Sequence, residues 1–383
     1  MNSRIYHTAF YPFSLLINFL VSRKSKPAPE KHLVLVRVDA IGDYLLFRNY
    51  LKEIRDSKYA DYKITLIGNS AWKSIFKEYD YLYVDKCIWL DRKKFVENPI
   101  YRYKFLIDLK NTNYEIAFQP TLSREMYFGD IIIKNILAEI KIGVESELSN
   151  IKKWQKRISD SYYQELIKPP QDLFEFYKNK NIFETFLNKK IALIKPILKL
   201  DRFNEFNAFV VSLFIGGSSK NKKYNVIHYA EVLNNLNKSF NFSIKILGSI
   251  NEYDDGEKLS KMLKAVSLNL CGKTSLIEAI HEIKSSDILI SNESFAGHAA
   301  VSLSIPTFII SNGNHYMRFC PYPNNLFERY GAIFPKQIEQ SQLSKEELIE
   351  KFSSGSNLDI NSIDSEIFFE RLFKFIKKYI PKN

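Results

Sequence analysis

Four short stretches of the chain carry side chains whose types and spacing could do chemistry. The first, Asp39-Ala-Ile-Gly-Asp43, follows the apolar run Leu33 to Val38 and leads into a helical pattern through Leu45, Leu46 and Tyr50. Gly42 permits a tight turn, and Asp43 would aim a carboxylate from a helix start toward a ligand; the alternative is that Asp43 only caps its helix. The second, Gly216-Gly217-Ser218-Ser219 with Lys222 and Lys223, offers open backbone N–H groups, hydroxyls and ammonium groups. That set suits phosphate, but it is neither a Walker loop nor a GxGxxG fingerprint, so an ordinary turn stays open. In the third, Ser291-Asn-Glu-Ser294-Phe-Ala-Gly-His298, Ser294 can cap a helix whose first turns are kept thin by Ala296, Gly297, Ala299 and Ala300. A diphosphate could meet the positive helix end there, with His298 on the ligand side or in a structural role. The fourth, Asn312-Gly-Asn-His-Tyr-Met-Arg318, adds His315 and Arg318. An arginine here grips phosphate bidentately or pairs with a carboxylate.

Positioning these stretches requires elements that end together. From Leu33 onward, short apolar or β-branched runs alternate with helical patterns, the signature of parallel sheets wrapped by helices. Strands are expected at Leu33–Val38, Tyr62–Ile67, Cys87–Leu90 and Tyr114–Gln119, with helices near Ser70–Tyr79, Phe128–Ile140 and Asp172–Leu187. A second series places strands at Ala208–Phe214, Ser243–Leu247, Asp287–Ser291 and Thr307–Ile310, with helices at Val226–Leu236, Ser275–Ile283 and Phe295–Leu303. The expected fold class is α/β, two doubly wound domains facing across a cleft. The domains would cover 31–200 and 205–360, joined by a linker around Lys190 to Asn207, with a last helix in 361–383 packing back across the junction. Ligands of such sheets bind beyond the carboxy ends of strands, where all four stretches fall.

Composition narrows the partners. Hydrophobic residues make up 45% and charged residues 26% of the 383, which fits a folded protein rather than a disordered or polytopic one. The net charge of +12 suits phosphorylated substrates or an anionic membrane surface. Its lysines are scattered and no helix-turn-helix or ribonucleoprotein pattern occurs, which argues against nucleic acid. Cys87, Cys271 and Cys320 lie far apart with no ligand-spaced partner, so neither disulfides nor structural zinc is expected and the protein reads as cytoplasmic. No Asp-x-Asp pair stands ready for a metal; Glu252-x-Asp254 is the nearest pattern. Within residues 1–30, Phe13, Leu16, Ile17, Leu20 and Val21 share one helical face, followed by Arg23, Lys24, Lys26 and Lys31. This is either a peripheral helix on the inner face of the cytoplasmic membrane or one docked on the protein itself.

The segments LVLVRVDAIGDYLL, SLFIGGSSKNKKYNVIHYAEVL and LCGKTSLIEAIHEIKSSDILISNESFAGHAAVSLSIPTFII resemble, in that order, glycosyltransferase family 9, the heptosyltransferase family. The resemblance runs from Leu33 to Pro323. It implies the GT-B fold of two Rossmann-like domains, the acceptor held by the first and a nucleotide-diphosphate sugar by the second, with inverting transfer and no metal or other cofactor. By motif position it makes Asp43 the catalytic base and Lys222 the residue that neutralises donor phosphate. Glu252 takes the place of the ribose-binding acid, and Ser294 and His298 match the residues of the diphosphate-binding helix. The family's Asp-Thr/Ser-Gly is Glu293-Ser294-Phe295 here, a bulky ring in place of a glycine, which leaves the donor's base and sugar open.

The expected activity is transfer of heptose or a related sugar onto a lipid-linked or cell-surface glycan of the lipopolysaccharide type. Gly217, Ser218, Ser219, Lys222, Glu252, Ser294, His298, His315 and Arg318 would bind donor, and Arg37, Arg48 and Arg124, near strand ends or helix starts, a phosphorylated acceptor. A catalytically silent nucleotide-sugar binding module is the alternative. A nucleotide-sugar epimerase would need a GxGxxG after the first strand, which is missing.

Overall fold

The computed structural model describes residues 31–170, 174–201 and 209–379. The amino-terminal helix expected within 1–30 lies outside the described residues. Leu33 to Val36 are β-branched or leucine throughout, and the strand they form, β1 (His32–Arg37), is buried along its whole length, as a central parallel strand must be. It is joined in one parallel sheet by β2 (Lys63–Asn69), β3 (Lys86–Leu90), β4 (Asn113–Phe118), β5 (Leu137–Val144) and β6 (Glu165–Ile167). The order is β3-β2-β1-β4-β5-β6. A second parallel sheet contains β7 (Val210–Phe214), β8 (Ser243–Leu247), β9 (Ser267–Asn269), β10 (Ile288–Asn292), β11 (Thr307–Ile310) and β12 (Tyr330–Ile333). Its order is β12-β11-β10-β7-β8-β9.

Counted from its own first strand, each sheet therefore has the Rossmann order, with the switch point between its first and fourth strands. In the first sheet that point lies between β1 and β4, and in the second between β7 and β10. Asp39–Asp43 follows β1, Gly216–Ser219 follows β7, and Glu293-Ser294 follows β10. The chain divides into two compact units: one takes in 31–170 with Lys178–Ala192, the other 174–177 with Leu193 onward.

Two expectations are corrected. The helix expected over Phe128–Ile140 is a short wide turn, Met126–Asp130, then a helix Ile131–Asn135, and then strand β5. Pairing with β4 on one side and β6 on the other takes up the backbone from Leu137, and this outweighs the helical spacing of the apolar residues before it. The last helix, Ser365–Ile376, expected to pack back across the junction, sets Phe368, Leu372, Phe375 and Ile376 into the second unit's own core beside Phe308 and Ile333. Those positions form one stripe at helical spacing, which a core can bury whole.

Candidate active site

In the first unit Asp43 is the third residue of helix α1 (Ile41–Phe47) and is half-buried. The N-cap is Ala40, which has no side-chain oxygen, so Asp43 is a first-turn acid acting on the helix dipole and not the cap. The loop ahead of it is held from three strand ends. The Asp39 carbonyl accepts from Asn69 Nδ2 at 2.9 Å and Trp72 Nε1 at 3.2 Å, the one at the end of β2 and the other just past it. Trp72 fits because a Cβ on Gly68 would collide with its ring, and Tyr44 stacks on its other side at 3.9 Å. The Val38 carbonyl accepts from Arg92 Nη1 at 2.9 Å, while Arg92 Nη2 grips both oxygens of Glu125 at 2.9 and 2.8 Å. Asn69, Trp72 and Arg92 are positioning residues that the sequence did not single out.

The three arginines expected to meet an acceptor are corrected by their burial. Arg48 is 5% exposed and donates to both oxygens of buried Asp80, at 2.9 and 2.8 Å. Burial pushes the Asp80 carboxyl up, against the pull of Arg48 and Tyr44. Arg37 pairs with Asp39 at 3.0 Å, donates to the Pro120 carbonyl and lies over Phe47. Arg124 is fully buried between Asp130, Asp160 and the ring of Tyr163. A guanidinium enclosed with its own carboxylates holds the fold together, since taking it from them would leave buried charge uncompensated.

The second unit assembles its charges differently. Lys222, closing the turn Lys220–Lys222, reaches Glu293 Oε1 at 3.7 Å, with side chains 17% and 11% exposed. Ser311, just past β11, donates to the other Glu293 oxygen. Burial pushes the Glu293 carboxyl above the usual carboxylate range, against Lys222 and Ser311. Asn292 sets the β7 loop by donating to the carbonyls of Ile215 and Gly216 at 2.8 and 3.3 Å, while accepting from Tyr224 N and Tyr229 Oη. A side chain on Gly217 would lie 2.8 Å from the Lys222 carbonyl, so glycine is what lets the turn close; Ser218 and Ser219 stand exposed. Ser294 does cap the following helix α2 (Phe295–Ser302), accepting from Ala296 N at 3.3 Å. Phe295 packs on Phe214 with ring centroids 5.2 Å apart.

Glu252 joins this group through Lys223, which pairs with it. Its other oxygen accepts from Ser249 N at 2.9 Å and Ser249 Oγ at 2.6 Å in a capping box. Burial works to raise this carboxyl, but Lys223 and Ser249 hold it below the usual range. His298, His315 and Arg318 gather elsewhere in the unit, around Phe319. Arg318 is buried and donates to Glu175 at 2.8 Å, so its guanidinium is not presented to phosphate. His298 is 9% exposed with Nδ1 2.7 Å from Tyr322 Oη, and burial lowers its pKa to about 4. His315 holds φ +53° and meets the Ser353 carbonyl at 2.7 Å. Strand-end reasoning applied to every strand would have found Asn292 and Ser311 as well.

The family model for glycosyltransferase family 9 (heptosyltransferase) matches residues 103–349. The chain belongs to that family. It is a glycosyltransferase, and the matched span takes in Lys222, Glu252, Glu293 and His298 but begins beyond Asp43. No curated protein matches the sequence. Among solved structures, a family 9 glycosyl transferase from Veillonella parvula is 13% identical with TM-score 0.66, over 91% of this chain and 98% of its own. The E. coli heptosyltransferase WaaC with ADP is 11% identical with TM-score 0.61, over 91% and 99%. The iron-containing dodecameric glycosyltransferase TibC from enterotoxigenic E. coli is 11% identical with TM-score 0.50, over 94% and 79%. At these identities the likeness establishes the shared GT-B type of fold. Among the described residues no three His, Cys, Asp or Glu side chains gather to hold a metal, and no helix is long and apolar enough to cross a membrane.

Proposed function

We propose that this family 9 chain is an inverting, metal-independent transferase that moves heptose or a related sugar from a nucleotide-diphosphate donor to a lipid-linked glycan, working peripherally at the inner face of the cytoplasmic membrane. The observation that carries the donor half is the Lys222–Glu293 pair at the β7/β10 switch point. It is a partly open ion pair beside a glycine loop and a capped helix start, and an anionic ligand can compete for its ammonium group. Asp43 takes the proton of the acceptor hydroxyl as that oxygen attacks the anomeric carbon. The bond to the donor diphosphate breaks and its electron pair leaves on the phosphate oxygen. Lys222, the Gly217–Ser219 amides and the start of α2 stabilise that growing charge, the role that usually supplies the largest share of catalysis. ADP in WaaC makes an adenosine diphosphate sugar the first donor to try.

Three measurements test this. A cognate nucleotide-diphosphate sugar raises the melting temperature, by a stabilisation of about 2.7 kcal/mol at a hundred times its Kd. Lys222→Met weakens that affinity about 10- to 100-fold, as expected for losing a charge-assisted contact. Unchanged affinity in Lys222→Met removes Lys222 from the donor site. Transfer should persist in excess chelator, and a loss restored by added magnesium or iron overturns the metal-independent reading.

A further inference from the structure

A cavity of about 470 Å³ opens in the second unit along strand β12, at the edge of the sheet. That is the size of a small-molecule site. Two aromatic pairs build its walls: Tyr316 stands edge-on to Phe334 with ring centroids 5.2 Å apart, and Tyr322 leans on Tyr330 at 5.0 Å. The Tyr330 hydroxyl is engaged with Cys320 Sγ at 3.4 Å and the Tyr322 hydroxyl with His298 at 2.7 Å, so these two side chains offer the cavity ring surface rather than hydroxyl. At the rim Arg371, from the last helix, closes on Glu339 through two bonds of 2.7 Å. The same pair caps the strand edge, because Arg371 Nη1 reaches the Ala332 carbonyl at 3.4 Å and Glu339 accepts from Phe334 N at 3.0 Å. Two neutral groups are left over. The Tyr316 hydroxyl and the side-chain amide of exposed Asn324 have no partner among the described residues.

We infer that this cavity binds an uncharged saccharide unit. A sugar ring has C–H faces that pack on aromatic rings and a rim of hydroxyls that can bond a phenol and an amide, which is the pairing of surfaces found here. A charged ligand fits less well, because each charge at the rim is already neutralised by a bidentate partner that the ligand would have to displace. A peptide joining the sheet as a further strand also fits less well, since it would have to pull Arg371 and Glu339 from the backbone groups they cover. The inference goes beyond the proposed function, which puts the donor at the β7/β10 switch point and places no ligand at β12.

The test is saturation-transfer NMR on the full chain, with lactose and the methyl glycosides of glucose, galactose and mannose as probes. Saturation should pass from the protein's aromatic protons to the ring C–H groups of at least one probe. Tyr316→Phe and Asn324→Ala each remove one neutral bonding group, and each should raise that probe's Kd about 2- to 10-fold, with the double variant weaker than either. Glucuronate, a sugar ring carrying a carboxylate, should bind no tighter than the methyl glucoside. No transfer to any probe, a Kd unchanged in the double variant, tighter binding of glucuronate, or displacement of the sugar by the neutral peptide acetyl-Thr-Val-Thr-Val-amide overturns the inference. Tyr316→Phe keeps its ring and Asn324 is exposed, so melting temperatures and the donor-induced shift should match wild type in both. A failure of the donor shift with saccharide binding intact overturns the proposed function and leaves the cavity standing.

Discussion

The two switch points share one topology and use charge in opposite ways. Around β1, the cations are enclosed: Arg37, Arg48 and Arg124 lie buried against carboxylates or carbonyls, and what stands at the rim is an acid, Asp43, on a loop fixed through its own backbone carbonyls. Around β7, the cations stay near the surface: Lys222 and Lys223 pair with Glu293 and Glu252 across neighbouring strand ends, with lysine side chains 17% and 32% exposed. A buried pair resists exchange because separating it leaves an unsolvated charge. In the β7 pairs the lysine is the more exposed partner, so its ammonium group is the part an anion can reach. The same strand order thus carries a half-buried acid on a braced loop in one unit and lysine–carboxylate pairs at the strand ends in the other.

The sharpest way to break this comparison is Asp43→Asn. Loss of a general base should lower turnover by about 10²- to 10⁴-fold, with donor affinity near wild type because the donor is assigned to the other unit. Stability should change by less than about 1 kcal/mol, the usual worth of a first-turn carboxylate on the helix dipole. Turnover within a few-fold of wild type, measured with the true acceptor, would reduce Asp43 to a helix-start acid.

Arg48 tests the enclosed side. Arg48→Met leaves Asp80 buried without its cation and should cost about 3–5 kcal/mol in chemical denaturation, whereas adding Asp80→Asn should recover most of that loss. Acceptor KM should not move in the double variant. A KM rise with little loss of stability would put Arg48 back in the acceptor site.

The fold was legible where an apolar run or helical stripe is buried along most of its length. The expected Val226–Leu236, Ser243–Leu247 and Thr307–Ile310 match the structure residue for residue, because a β-branched run or an apolar helical stripe has one good place to go. It was illegible where pairing with neighbours rather than the local pattern makes the strand, as in β5, β6, β9 and β12. The candidate site divides the same way. Asp43, Gly217 and Lys222 could be chosen because strand ends and glycine-rich turns are local signals. The enclosure of Arg48, Arg124 and Arg318 could not, since their partners Asp80, Asp160 and Glu175 are distant in sequence. Nor could Arg92, whose partner Val38 lies 54 residues away.

His298 probes whether the second unit's open charges include an imidazolium. Burial holds its pKa near 4 in the folded chain, with Glu175 pulling the other way, against about 6.5 when exposed. It is therefore neutral at pH 7, and in the proposed donor site the positive charge is left to the lysines after β7. The folded state binds fewer protons than the unfolded one in this window, so the stability tied to His298 is complete above about pH 6.5 and is lost as pH falls through 4. The loss by then should approach about 3 kcal/mol. Subtracting the denaturation curves of His298→Gln from those of wild type isolates this term from the carboxylates that titrate nearby. If His298 is neutral, donor Kd between pH 6 and 8 should show no step that the substitution removes. A step near pH 6.5 present in wild type and absent in His298→Gln would make His298 a cationic donor ligand, and the positive charge of the proposed donor site would then extend into the interior of α2.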